Sequence, residues 1–193
     1  MVEIFAEVSC PFTHAWLRRL LVHAGEADLR IRAWPLELVD GEPLSPALVT
    51  EEIDALRRDV DPASFAGFDP AHFPATSLPA LALAAAAYEL GPEPGTRVSL
   101  ALRHALFGEG RDIADGAVLA AIGAAHGVAP PTARHDATVL AEWEDGRRRG
   151  VEGSPHVFDG TSSLFAPGLD VKQVDGRFEV SLTDWTPADP SSL

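Results

Sequence analysis

The hydrophobic pattern changes period twice within the first 35 residues, and the only cysteine of the chain stands at the first change. Val2, Ile4, Ala6 and Val8 alternate with Glu3, Phe5 and Glu7, the two-residue period of a strand. Ser9-Cys10-Pro11 breaks the alternation. Proline is favoured at the first helical position, where its missing N–H would have no partner anyway. From there the apolar residues Phe12, Trp16, Leu17, Leu20, Leu21 and Ala24 recur at helical spacing, with Gly25 as the stop. Leu29, Ile31 and Ala33 then alternate with Arg30 and Arg32 up to Pro35. A β-α-β start of this kind predicts a parallel strand pair with a right-handed crossover.

No strand pattern follows for more than a hundred residues. The spacing predicts helices from Ser45-Pro46 to about Val60, from Thr76 or Ser77 to Gly91, from near Gly95 to Phe107, from Asp115 to Gly127, and from about Thr132 to Arg149. Phe65, Phe68 and Phe73 are expected to anchor the loop over 61–77. Strand character returns at Pro155-His156-Val157-Phe158, with Asp159-Gly160 as a turn and Ser163-Leu164-Phe165 pairing back. A second hairpin is expected around Asp175-Gly176, between Val171–Val174 and Phe178–Leu182, with a loose tail after Trp185. The opening strands are too few to stand alone, so the early and late strands are expected in one sheet. The expectation is one α/β fold, residues 1–44 and 150–193, carrying an inserted helical domain over 45–149.

Composition narrows the function. A formal net charge of -14 repels phosphate backbones and anionic lipid, so neither nucleic acid nor membrane is an expected partner. The longest apolar stretch, Leu78 to Leu90, is too short to span a bilayer. One cysteine excludes an intrachain disulfide. The opening residues carry Glu3 and Glu7 rather than the basic start of a secretory signal, so a reducing cytoplasm is the expected setting. Asp112, Asp115, Asp136, His126 and His135 lack metal-ligand spacing, and no metal is expected. Arg147, Arg148 and Arg149 read as charges opposing the negative end of their helix.

A cysteine at a helix start sees unpaired N–H groups and the positive end of the helix dipole, and both favour the nucleophilic thiolate. On this reasoning the Cys10 thiol has a lowered pKa, and His14, one turn on, adds positive charge when protonated. A buried apolar cysteine and a surface histidine are the plainer readings of the same residues.

Here the chain resembles a known family. Ser9-Cys10-Pro11-Phe12-Thr13 comes after the first strand, where DsbA-like thiol–disulfide oxidoreductases carry Cys-Pro-x-Cys. Gly150-Val151-Glu152-Gly153-Ser154-Pro155-His156-Val157-Phe158 resembles the family's cis-proline segment, and Phe165-Ala166-Pro167-Gly168 resembles the stretch after its hairpin. Phe107-Gly108-Glu109-Gly110-Arg111-Asp112-Ile113 is similar to the branch holding hydroxychromene-carboxylate isomerases and kappa-class glutathione transferases, and Ala75-Thr76-Ser77 falls where that branch often has Asn-Thr. The resemblance implies a thioredoxin-like fold with a large inserted all-helical domain. It makes Cys10 the nucleophile and Pro155 cis beside it. Ser154 would pair its backbone with an extended substrate, Pro11, Phe12 and His14 would complete the binding surface, and His156 would point near the cleft or to solvent. Two features depart from the family. Thr13 stands where the resolving cysteine is expected, and Lys172 to Trp185 reads as strands and loop where a helix is usual.

The implied activity is a monothiol oxidoreductase in which an external thiol resolves Cys10, with Thr13 placed to donate a hydrogen bond to the sulfur. Its partners would be thiol or disulfide substrates, protein or small molecule. No tightly bound cofactor is implied beyond glutathione or another low-molecular-weight thiol. Two other readings stand beside it: a glutathione-type transferase or isomerase, and a binding protein that keeps the fold without the chemistry. The oligomeric state is open, a homodimer among the options.

Overall fold

The computed structural model describes residues 2–24, 29–160 and 162–185. Gly25, expected to stop the first helix, and the tail from residue 186 lie outside them. Strand β1 (Val2–Ala6), helix α1 (Pro11–Ala24) and strand β2 (Leu29–Ala33) form the opening unit, with β1 and β2 parallel and Ile4 opposite Ile31. Strands β3 (His156–Phe158) and β4 (Ser163–Phe165) join the same sheet, in the order β2-β1-β3-β4. Strand β3 runs antiparallel to β1, with His156 opposite Phe5. Its first residue therefore sits at the end of β1 where α1 begins.

Three short elements escape the sequence reading. Helix α2 (Leu36–Asp40) follows Pro35 and ends at Gly41, whose φ of 82° is the left-handed conformation that favours glycine. Five residues are too few to show a helical period. The loop after residue 60 holds two 3₁₀ turns, Ala63–Phe65 and Pro70–His72, and Phe65, Phe68 and Phe73 are all buried. Around them lie α3 (Pro46–Asp59), α4 (Leu78–Tyr88), α5 (Pro92–Phe107), α6 (Gly116–Ala125) and α7 (Ala133–Arg149). Helix α5 starts three residues before the expected Gly95, because Pro92 and Pro94 fit the first turn, where N–H groups have no intrahelical acceptor.

Strands β5 (Leu169–Val174) and β6 (Arg177–Leu182) form a separate two-stranded sheet. This hairpin docks on the end of α3, where the Val180 N–H donates to Asp59 and Arg58 donates to the Phe178 carbonyl. The hairpin expected around Asp175-Gly176 is thus present among the described residues.

Strand β1 is buried on both faces. Ile4 and Ala6 pack with Trp16, Leu17 and Leu20 of α1, while Phe5 packs with Trp34 and Val151 on the α7 side. At Gly146 of α7 a Cβ would lie 2.6 Å from the Trp34 ring, so only glycine lets α7 approach this closely. The basic end of α7 does more than oppose a dipole: Arg149 pairs with Glu3 at 2.7 Å and lies 3.8 Å from the centre of the Phe158 ring. Helix α1 is covered by the sheet on one side and by the helical block on the other.

Candidate active site

Three chain segments converge at the end of β1: the β1–α1 turn, the 153–155 loop before β3, and the start of α4. The Ser154–Pro155 peptide bond is cis. The Glu7 N–H donates to Ser154 Oγ at 2.9 Å, which ties the loop to the turn. The Cys10 thiol lies against the Ser154 carbonyl, Sγ to O 3.6 Å. Thr13, fully buried, shares a 2.6 Å hydrogen bond between its hydroxyl and that of Ser154. Cys10, Thr13, Ser154 and Pro155 are thus brought together. Pro11 opens α1 beside them, and Phe12 packs half-buried against the helical core.

The electrostatics of Cys10 correct the sequence reading. The residue is only 5% exposed, and burial pushes its thiol pKa above the ordinary value. The Thr13 hydroxyl and N–H and a hydrogen bond to Ser154 pull the other way, while Glu52 of α3 adds to the rise. A helix start favours thiolate through its free N–H groups, yet the first of them is missing at Pro11 and desolvation outweighs the rest. Cys10 is therefore mostly a protonated thiol at neutral pH.

His14 is also corrected. It does not face the cleft. Its Nε2 lies 3.2 Å from the Ser64 carbonyl, and its ring packs 4.8 Å from Phe107 and 5.3 Å from Phe65. Burial drives its pKa down to about 3, so it is uncharged and supplies no positive charge to the sulfur. His156 faces neither cleft nor solvent. It is 1% exposed, stacked on Phe158 at 5.0 Å. Its Nδ1 accepts from the Glu152 N–H at 3.1 Å, so Nε2 carries the proton and donates to Ser163 Oγ at 2.8 Å. That direction leaves the serine hydroxyl as acceptor, not as an activated nucleophile.

Three charged residues that the sequence reading did not single out contribute to the electrostatics of this region. Glu7 is 1% exposed, and burial raises its pKa. Its Oε1 accepts from the N–H and hydroxyl of Ser9, and its Oε2 from the Leu36 N–H and the Ser77 hydroxyl, all at 2.9–3.0 Å. Ser77 spends its hydroxyl here and on Glu37 instead of capping α4. Glu52, half-buried, has its pKa pushed up to about 7 by burial and by Glu51. Arg103 of α5 is 1% exposed, and Glu7 and Cys10 are among the groups acting on it. Glu52 lies between Val49 and Ile53 on the buried stripe of α3, and Arg103 beside Leu102 on that of α5. A charge on an apolar stripe is the signal that would have found them.

Among the described residues no group of three His, Cys, Asp or Glu side chains could hold a metal ion, and no helix is long and apolar enough to cross a membrane. An open groove of about 750 Å³ between the β5–β6 hairpin and the end of α3 is lined by charged residues such as Arg58, Lys172 and Glu179 together with Val174, Phe178 and Val180, with none of Cys10, Thr13 or Ser154 among them.

The family model of the DSBA-like thioredoxin domain matches residues 1–176. No curated protein matches the chain in sequence. Among solved structures, a candidate protein disulfide isomerase from Nitrosomonas europaea superposes with a TM-score of 0.63 at 16% identity, covering 84% of this chain and 86% of that one. A 2-hydroxychromene-2-carboxylate isomerase superposes with a TM-score of 0.58 at 17% identity, covering 85% and 87%. ScsC of Proteus mirabilis in a compact conformation gives 0.51 at 13% identity, covering 84% and 72%. At these identities the three structures share the fold with this chain.

Proposed function

Because the chain belongs to the DSBA-like thioredoxin domain family, we propose that it is a thiol–disulfide oxidoreductase working through Cys10 alone. The observation that carries this reading is the single thiol placed between the start of α1 and the Ser154 carbonyl, with Thr13 where a second thiol would sit. Cys10 loses its proton and attacks a disulfide. One S–S bond forms to Cys10, the original S–S bond breaks, and its other sulfur leaves as thiolate. An external thiolate of the glutathione class then attacks the mixed disulfide, forms a new disulfide and expels the Cys10 sulfur. Residues 1–44 and 150–193 act in this reading as the thioredoxin-like domain, and 45–149 as an insertion whose α3 carries Glu52, which acts on the Cys10 thiol. The setting is a reducing compartment that supplies the second thiol.

A glutathione-type isomerase or transferase is the second reading, favoured by the burial that keeps Cys10 protonated. A neutral thiol is a hydrogen-bond donor, and Cys10 already donates to a carbonyl. The Cys10→Ser variant separates the two. In a glutathione-dependent reduction of a small dialkyl disulfide, the oxidoreductase reading predicts a loss of at least about 100-fold, because serine forms no mixed disulfide. Near-full activity in that variant would mean the hydroxyl donates in place of the thiol, and the second reading would hold.

A further inference from the structure

On the α7 side of the sheet, beside the cluster of Phe5, Trp34 and Val151, an open pocket of about 460 Å³ lies between α2 and α7. Its wall is Trp34, Leu38, Val39, Trp143, Arg147 and Val151, with none of Cys10, Thr13 or Ser154 among them. That volume is the size of a small-molecule site. Val39 is 46% exposed, so apolar surface here is open to an occupant. Trp34 is 3% exposed, and its indole N–H has no acceptor among the described residues; neither has that of Trp143. Buried donors are normally paired, and two without partners in one wall mark a place short of acceptors. The wall also holds a cation with no anion. Arg147 lies over the Trp143 ring, 5.0 Å from its centre, and among the described residues no carboxylate is within ion-pair distance of it. Its neighbours are spent: Arg148 pairs with Asp145 at 3.0 Å and Arg149 with Glu3 at 2.7 Å. Stacking on an indole holds a guanidinium by its face and leaves the donors along its edge free.

We propose that this pocket binds a small organic monocarboxylate, its apolar body against the Trp34, Leu38, Val39 and Val151 side and its carboxylate on Arg147. One unpaired guanidinium matches one negative charge, and its edge presents two parallel N–H donors in the spacing of a carboxylate. The aliphatic and indole walls ask for an apolar body, since a polar one would lose its water there without gaining partners. A second anionic group would find no second free cation, because Arg148 and Arg149 are already paired. The site is separate from the thiol and does not depend on what Cys10 does.

The test is calorimetric titration of the full chain with octanoate, octanol and octylamine, three probes with one apolar body and a negative, a neutral and a positive head. Octanoate should bind once per chain, at least about fivefold more tightly than octanol, with octylamine the weakest. Arg147→Gln, at an exposed position, should bring octanoate down to the affinity of octanol and leave octanol within about twofold. Val39→Ser should weaken octanoate and octanol alike, by about threefold. Cys10→Ser should bind octanoate as the wild type does. In the wild type, octanoate should move the indole N–H resonances of Trp34 and Trp143 and leave that of Trp16, whose N–H is held by the Pro167 carbonyl at 2.8 Å. Equal affinity for octanoate and octanol, an octanoate affinity untouched by Arg147→Gln, or no octanoate bound at about 2 mM overturns the proposal. Loss of binding in Cys10→Ser overturns it too, since the probe would then sit at the thiol.

Discussion

Thr13→Cys is expected to turn a site that waits on an outside thiol into one that resolves itself. Thr13 stands three residues after Cys10 on the first turn of α1, and its hydroxyl and N–H both act on the Cys10 thiol. A sulfur at that position attacks a mixed disulfide on Cys10 within the same molecule, and such attack gains a large effective concentration over a solution thiol. Dithiol-coupled turnover, read as reduction of a disulfide-linked protein substrate, should rise at least about tenfold. The oxidised variant should hold a disulfide between Cys10 and the introduced thiol, seen as the loss of two hydrogens in intact mass. The change removes the 2.6 Å hydrogen bond between Thr13 and Ser154, so the reduced variant should be less stable by about 1–2 kcal/mol. A variant that forms the bond but shows no gain in turnover would place the limit elsewhere than in resolution.

Glu52 should impose a strong pH dependence on stability. Its pKa rises from 4.5 to about 7, first through burial and then through Glu51. Between those values the folded protein holds a proton that the unfolded chain has released. The stabilisation is complete below about pH 4.5 and is lost as pH climbs to about 7, in total about 3 kcal/mol for one group moved that far. Glu52→Gln keeps the shape and removes the titration. In urea unfolding it should match the wild type near pH 4 and exceed it by about 2–3 kcal/mol at pH 8. Because Glu52 acts on Cys10 to raise its pKa, the same variant should alkylate faster at pH 8. An equal gain at both pH values would mean that packing, not ionisation, is the cause.

Much of the fold is legible because the hydrophobic period changes where the elements change. The alternation of Val2, Ile4 and Ala6, the switch at Pro11, and the return of alternation at His156 mark the strands and α1 within a few residues. The Asp159-Gly160 and Asp175-Gly176 turns mark both hairpins. Helix α2 is not legible, since Leu36–Asp40 is shorter than the repeat that would reveal it. The position of Cys10 is legible as well, but its environment is not. A sequence shows a helix start and its dipole. It does not show that α1 is covered on both sides, which buries the Cys10 thiol and sends His14 into the helical block against Phe65 and Phe107. Glu52 acts on Cys10, and Glu7 and Cys10 act on Arg103, across elements far apart in the chain, and no local spacing links them.

The most direct test of the account is the intact mass of the protein after incubation with glutathione disulfide at pH about 8.5, where more of a raised-pKa thiol is ionised. One glutathione per chain is expected on the wild type, released by excess reduced glutathione, and none on Cys10→Ser. A folded wild-type protein whose mass stays unchanged, while the same chain takes up one glutathione in denaturant, would contradict it.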